Sequence, residues 1–212
     1  MIFHEFAFYL QIIRYLCKLY ENRCTNSHDS TMTKGDIRAE LELLKSLEGA
    51  AFGIKLKEIA ARKEFRALPG EPFIYTVGEI QDEDYPSLLM AARKAVEHGY
   101  RVFMLPNPHG VKTPDYILER RGVYKLFDLK NISGQNIVHT RLKESIAQAN
   151  RALLNMPQYS TRKLVHDIRK YFVKYPDAIE VLIFKGKDEI SVSRRFAMSQ
   201  RFYFEFKKMF ER

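Results

Sequence analysis

The 212-residue chain, 46% hydrophobic and 29% charged, is long and apolar enough to bury one core, which excludes a disordered chain and a disulfide-stapled miniprotein. Its formal net charge of +9 is unevenly placed: residues 1–98 carry 13 Lys and Arg against 15 Asp and Glu, and residues 99–212 carry 22 against 11. A cationic surplus confined to one region points to a polyanionic partner, nucleic acid ahead of membrane or acidic protein.

In chain order, residues 1–20 show a helical apolar pattern interrupted by His4, Glu5, Arg14 and Lys18. The stretch is too charged to cross a bilayer and lacks the basic start and cleavage site of a secretion signal, so no membrane insertion is expected. Cys17 and Cys24 match no zinc spacing and fit a reducing compartment, the cytoplasm of the cell itself or of a target cell. Residues 21–34 are polar, and 1–31 are expected to be a helical extension and linker. Residues 32–83 are expected to form a helical N-terminal region. DIRAELELLKSLE places Ile37, Leu41, Leu44 and Leu47 or Glu48 near one stripe, GAAFG interrupts it, IKLKEIAARKEF resumes, and LPGEP at 68–72 is a breaker.

Residues 84–212 alternate between helix and strand. The pattern predicts a helix over 84–98 ended by Gly99, and strands at 100–105, 115–119 and 123–130 with ERRG as the second turn. A helix over 136–150, a strand at ALLNM, a helix over 161–175 and strands at 179–184 and 189–193 follow. In RFAMSQRFYFEFKKMF, Phe202, Phe206 and Phe210 fit a helix while Phe202, Phe204 and Phe206 also alternate as in a strand. The order predicts an α/β fold of α+β character. Its mixed sheet contains a three-stranded antiparallel meander and a helix crossover to a parallel strand, with a helical region in front. The sequence contains no glycine-rich phosphate loop or dinucleotide fingerprint.

The chemistry concentrates in TPDYILERRGVYKLFDLK. Asp128 and Lys130 share one face of a strand with Tyr124 and Leu126, while Val123, Phe127 and Leu129 take the other. If Asp115 begins the partner strand, its carboxylate approaches that of Asp128, and two such charges repel unless a cation lies between them. Mg²⁺ is held by one or two carboxylates plus phosphate oxygens. It would polarise a scissile phosphate and acidify a bound water, with Lys130 beside it. The plain alternative is a turn aspartate at 115 and a surface ion pair of Asp128 with Lys130. The loop after Lys130 offers Ser133, Gln135 and Asn136 to a phosphate at a helix start, or as ordinary caps. On the next helix Arg141 and Lys143 are candidate phosphate contacts. His139 is a candidate general acid or base if no metal binds.

The helix–strand–strand–strand–helix order with Pro114-Asp115 and Asp128-Leu129-Lys130 resembles the PD-(D/E)XK nuclease core. The longer run from AARKAVEHGYRVFMLP through KTPDYILERRGVYKLFDLKNISGQN to RLKESIAQANRALLNM resembles the C-terminal tRNA nuclease domain of CdiA-type contact-dependent growth-inhibition toxins, over roughly residues 84–185. The resemblance implies a nuclease acting on RNA, tRNA in particular, ahead of DNA, and an immunity protein as partner. It also implies a further acidic metal ligand on the first helix, for which Glu97 is the matching position. Two other readings stay open: a metal-independent ribonuclease of the barnase, EndoU, colicin or RelE type using His139, Lys130 and a neighbour such as Thr140 or Ser133, and a non-catalytic RNA- or protein-binding module.

Overall fold

The computed structural model describes residues 37–44, 46–78, 84–106, 113–134, 137–146, 148–156 and 159–212. The predicted extension at 1–31, Cys17, Cys24, Gln135 and Asn136 lie outside the described residues. Two units meet at Lys55 and Leu56. In the first, helix α1 (Ile37–Leu44) buries Ile37, Leu41 and Leu44 of the predicted stripe but ends before Leu47 and Glu48, which are half-buried and exposed, and Glu40 pairs with Lys55 at 3.6 Å. Helix α2 (Gly49–Ala60) carries the chain into the second unit.

The second unit is built on one eight-stranded sheet whose strands lie in chain order. Strands β1 (Phe65–Leu68) and β2 (Glu71–Val77) form an antiparallel hairpin. This corrects the expected helical region at 32–83: LPGEP is the hairpin's turn. Pro69 presets its φ and Gly70 takes φ +80°, a conformation costly for residues with a Cβ. Helix α3 (Tyr85–Glu97) crosses to β3 (Arg101–Met104), which runs parallel to β2. Strands β4 (Tyr116–Arg120) and β5 (Val123–Asn131) complete the antiparallel meander. Their two-residue turn, Arg121 and Gly122 at φ 55° and 80°, has the paired positive φ of a type I′ hairpin. A Glu119 carboxylate oxygen accepts the Gly122 N–H at 2.6 Å and fixes that turn.

Helix α4 (Val138–Ser145) leads to β6 (Arg151–Met156), parallel to β5, and helix α5 (Thr161–Lys174) leads to β7 (Glu180–Lys185), parallel to β6. Strand β8 (Asp188–Ser193) closes the edge antiparallel to β7. A short turn α6 (Arg194–Ala197) and the helix α7 (Phe202–Phe210) follow. Phe202, Phe206 and Phe210 are buried while Phe204 is 67% exposed, so the ambiguous C-terminal stretch resolves as a helix.

The helices divide between the two faces of the sheet. Ala91, Ala92 and Ala95 of α3 pack with Tyr116, Phe127 and Leu129 on one face. Val138 and Leu142 of α4, Ile168 of α5 and Phe206 of α7 pack with Leu154 and Ile183 on the other. Side chains alternate along each strand, so burying both faces fixes the register: a one-residue slip would exchange the two apolar sets.

Candidate active site

The hairpin register places the carboxylates. The β4–β5 register runs to Tyr116 opposite Phe127; one step outward the Asp115 amide donates to the Phe127 carbonyl at 3.1 Å, and the Asp115 and Asp128 carboxyls lie close enough to act on each other. Tyr116 and Phe127 point to the α3 face, so Asp115 and Asp128 both point to the face covered by α4 and α5. Asp128 is fully buried. Its Oδ2 lies 2.7 Å from Lys130 Nζ, two residues along on the same face. Asp115 Oδ2 accepts the Leu129 N–H at 2.6 Å, an anchor that ties the first carboxylate to the strand carrying the second. The structure therefore brings Asp115, Asp128 and Lys130 together.

The electrostatics follow from that packing. Loss of hydration, and then the neighbouring charge of Asp128, push the Asp115 carboxyl up to about 8, against the pull of the Leu129 amide and Lys130. Burial also raises Asp128, opposed chiefly by Lys130 and then by the hydroxyl of Ser145 and the carboxyl of Asp115. Burial thus holds both carboxyls above the ordinary aspartate range, and the two titrate as a coupled pair beside Lys130.

Two oxygen-rich groups facing each other, with one more potential negative charge than Lys130 neutralises, fit a small divalent cation of the Mg²⁺ kind. Such an ion completes its shell from water and phosphate oxygens. Asp128 Oδ2 has no hydrogen-bond donor beyond the Lys130 ion pair, which leaves an acceptor to offer. Asp115 and Asp128 are the residues that could hold the ion; among the described residues no group of three or more His, Cys, Asp or Glu side chains is placed to do so.

A second layer supports Asp128. The Gln148 side-chain amide, oriented with its nitrogen inward, donates to Asp128 Oδ1 at 3.0 Å and to the Thr113 carbonyl at 2.7 Å. The fully buried Ser145 hydroxyl favours the ionised form of Asp128. The Tyr171 hydroxyl is buried without a hydrogen-bond partner, and loss of hydration followed by the Asp128 charge raises its pKa. The pattern predicts a helix over 136–150 and does not single out Gln148. The helix in fact ends at Ser145, and the chain turns Gln148 back toward the strand. One signal was readable: at i+7 from Val138 and i+3 from Leu142, Ser145 is a polar residue on an apolar stripe.

Other expected site residues lie elsewhere. Glu97, the acidic ligand implied by the resemblance, is exposed in the last turn of α3 on the opposite face of the sheet, so it cannot join the pair. His139 sits in the first turn of α4, where burial lowers its pKa and the charges acting on it come from Lys170, Asp167 and Lys174 of α5 and from Lys143. It therefore lies among the charges of α5. Arg141 is exposed and paired with Glu144 at 3.0 Å, and Lys143 and Ser133 are also exposed.

No family model matches the sequence, and no curated protein matches it. Among solved structures, it is similar to a CdiA-CT/CdiI toxin and immunity complex from Burkholderia pseudomallei, at 19% identity and a TM-score of 0.38. That similarity covers 55% of this chain and 92% of the other. A likeness of that extent leaves the fold to be defined by the topology above. Among the described residues no helix is long and apolar enough to cross a membrane.

Proposed function

We propose that the chain is a phosphodiester hydrolase acting on nucleic acid. The observation supporting this most is the convergence of the Asp115 and Asp128 carboxyls on one another, with Lys130 Nζ 2.7 Å from Asp128. The plain alternative, a turn aspartate and a surface ion pair, does not account for a fully buried Asp128 at the bottom of that arrangement. Burying like charges is expensive and calls for a compensating ligand. RNA, and tRNA in particular, is the proposed substrate on the strength of the sequence resemblance, as is an immunity protein as partner.

A divalent cation, when bound by Asp115 and Asp128, supplies Lewis-acid polarisation of the phosphate and lowers the pKa of a water. The chain's own groups do the rest. Lys130 directs its ammonium at a phosphate oxygen and offsets the charge that develops there. Gln148 fixes the rotamer of Asp128 through the 3.0 Å bond, and the Leu129 N–H fixes Asp115. With both carboxylates held by main chain or amide, the oxygens facing the substrate need little reorganisation.

Purified protein incubated with total tRNA and with plasmid DNA, in Mg²⁺ and in EDTA, tests this reading. Cleavage of RNA in Mg²⁺ that EDTA and Asp128→Asn each abolish is expected. Cleavage that survives EDTA would move the chemistry to a metal-independent site, and an absence of cleavage of either substrate would leave a binding module.

A further inference from the structure

One polar array on the α3 face has no role in the carboxylate chemistry. Lys94 Nζ of α3 donates to Asn155 Oδ1 of β6 at 2.7 Å. Asn155 Nδ2 donates to Asn131 Oδ1 at the end of β5 at 2.8 Å. Asn131 Nδ2 donates to the Ser87 hydroxyl of α3 at 2.5 Å. The chain has a direction: each amide oxygen accepts from the residue before it, so each amide nitrogen donates onward. What remains at the ends is donors, namely two further N–H groups on Lys94, a second N–H on exposed Asn131 and the O–H of Ser87. Lys94 is half-buried, and its partner here is a neutral amide. A cation in that setting seeks an anion.

The location matters as much as the chemistry. Asn131 directly follows Lys130, and Asn131 pairs in register with Asn155 where β5 and β6 run parallel. The array therefore sits at the carboxyl ends of two parallel strands, between a helix on one face and a helix on the other. Open α/β sheets bind ligands at such places. Adjacent strand residues project to opposite faces, so Lys130 and Asn131 straddle the sheet's edge.

We infer that the Lys94–Asn155–Asn131–Ser87 array is a second anion subsite, holding a backbone phosphate next to the scissile one as the substrate strand passes over the edge from Lys130. This rests on the hydrolytic reading, and it assigns Lys94 as the charged contact, with Asn155 and Asn131 as positioning residues that aim it. A phosphate contact carries no base information, so the subsite contributes affinity and register without sequence preference.

The test uses full-length protein carrying Asp128→Asn, in EDTA, binding a fluorescent single-stranded RNA of about ten nucleotides, titrated across a salt series. Adding Lys94→Met is expected to weaken binding about tenfold and to reduce the slope of log K against log salt by roughly 0.7, the value for one phosphate contact on a single strand. Lys94→Arg should restore most of the slope. Thermal melting accompanies each variant: a lower Tm with an unchanged salt slope would mean that the array only fastens α3 to the sheet, and would overturn the inference. If Lys94→Met fails to fold, Ser87→Ala removes the terminal donor alone; binding indistinguishable from the parent would equally overturn it. The two readings fail separately. Wild-type protein that cleaves no nucleic acid defeats the hydrolytic proposal, whereas cleaving protein whose Lys94 variants bind with an unaltered slope defeats only the subsite.

Discussion

Asp115 is the residue whose state controls the site. An ordinary aspartate loses its proton near pH 4, whereas burial and Asp128 hold this one protonated to about 8 in the folded protein. Below about pH 4 the group is protonated whether the chain is folded or not. Between about 4 and 8 only the folded form keeps the proton, so unfolding releases it and stability declines as pH rises, by up to about 1.4 kcal/mol per pH unit. Above 8 this contribution levels off. Urea denaturation in EDTA at a series of pH values should show that decline in the wild type and a much flatter profile in Asp115→Asn. Gln148 makes a second residue-scale case. Removing the amide that holds Asp128 should lower kcat on RNA by about 10- to 100-fold, the usual effect of losing a group that orients a ligand. The salt dependence of RNA binding should be unaltered. A Gln148→Ala enzyme with wild-type kcat would show that the amide does not position the carboxylate.

At the scale of elements, what could be read from the sequence depended on whether local chemistry matched the final pairing. The meander was legible because Arg121-Gly122 supplies a tight turn between two alternating runs, and because Asp128 and Lys130 sit two apart in the second of them. That spacing put both on one face before any partner strand was known. The β1–β2 hairpin was not legible. Residues 54–65 continue a helical pattern almost to Phe65, and Pro69-Gly70 serves equally as a helix breaker or as a hairpin turn; pairing with β3 decides between them. Glu97 fell on the wrong side because the face taken by α3 depends on the path of the crossover, which no spacing encodes. For α7 both periods were present, and the structure selects the four-residue one. Phe206→Ala, a cut at a fully buried ring, should therefore cost about 3–5 kcal/mol. Phe204→Ala, at an exposed one, should stay within about 0.5 kcal/mol. Equal losses in urea denaturation would contradict the helical packing.

Over the whole molecule, the basic surplus of residues 99–212 is partly spent on structure. Arg169 donates to the carbonyls of Ala197 at 3.1 Å and Ser199 at 2.9 Å, and Arg194 donates to the carbonyls of Ala178 at 3.2 Å and of Tyr175. Arg120 pairs with Glu189 at 2.7 Å. A count of positive charges therefore overstates what is available to a polyanion. Arg169→Ala should destabilise the fold by on the order of 1–3 kcal/mol while leaving the salt slope of RNA binding as it was, a combination that melting and fluorescence titration together would check.

The sheet's strand order, running from first to last as the chain does, bears on how the protein comes into being. Every strand docks beside the one made just before it, so no long loop must close before pairing begins, and the conformational search at each step is short. A ribosome releasing the chain, or a pore passing it amino end first, would free β1 through β5 before α4, β6 and α5. The two aspartates could meet as soon as that hairpin zips, while burial of their far side waits for α4, β6 and α5. Assembly would then proceed like a fan opening blade by blade, with the chemistry seated near its middle.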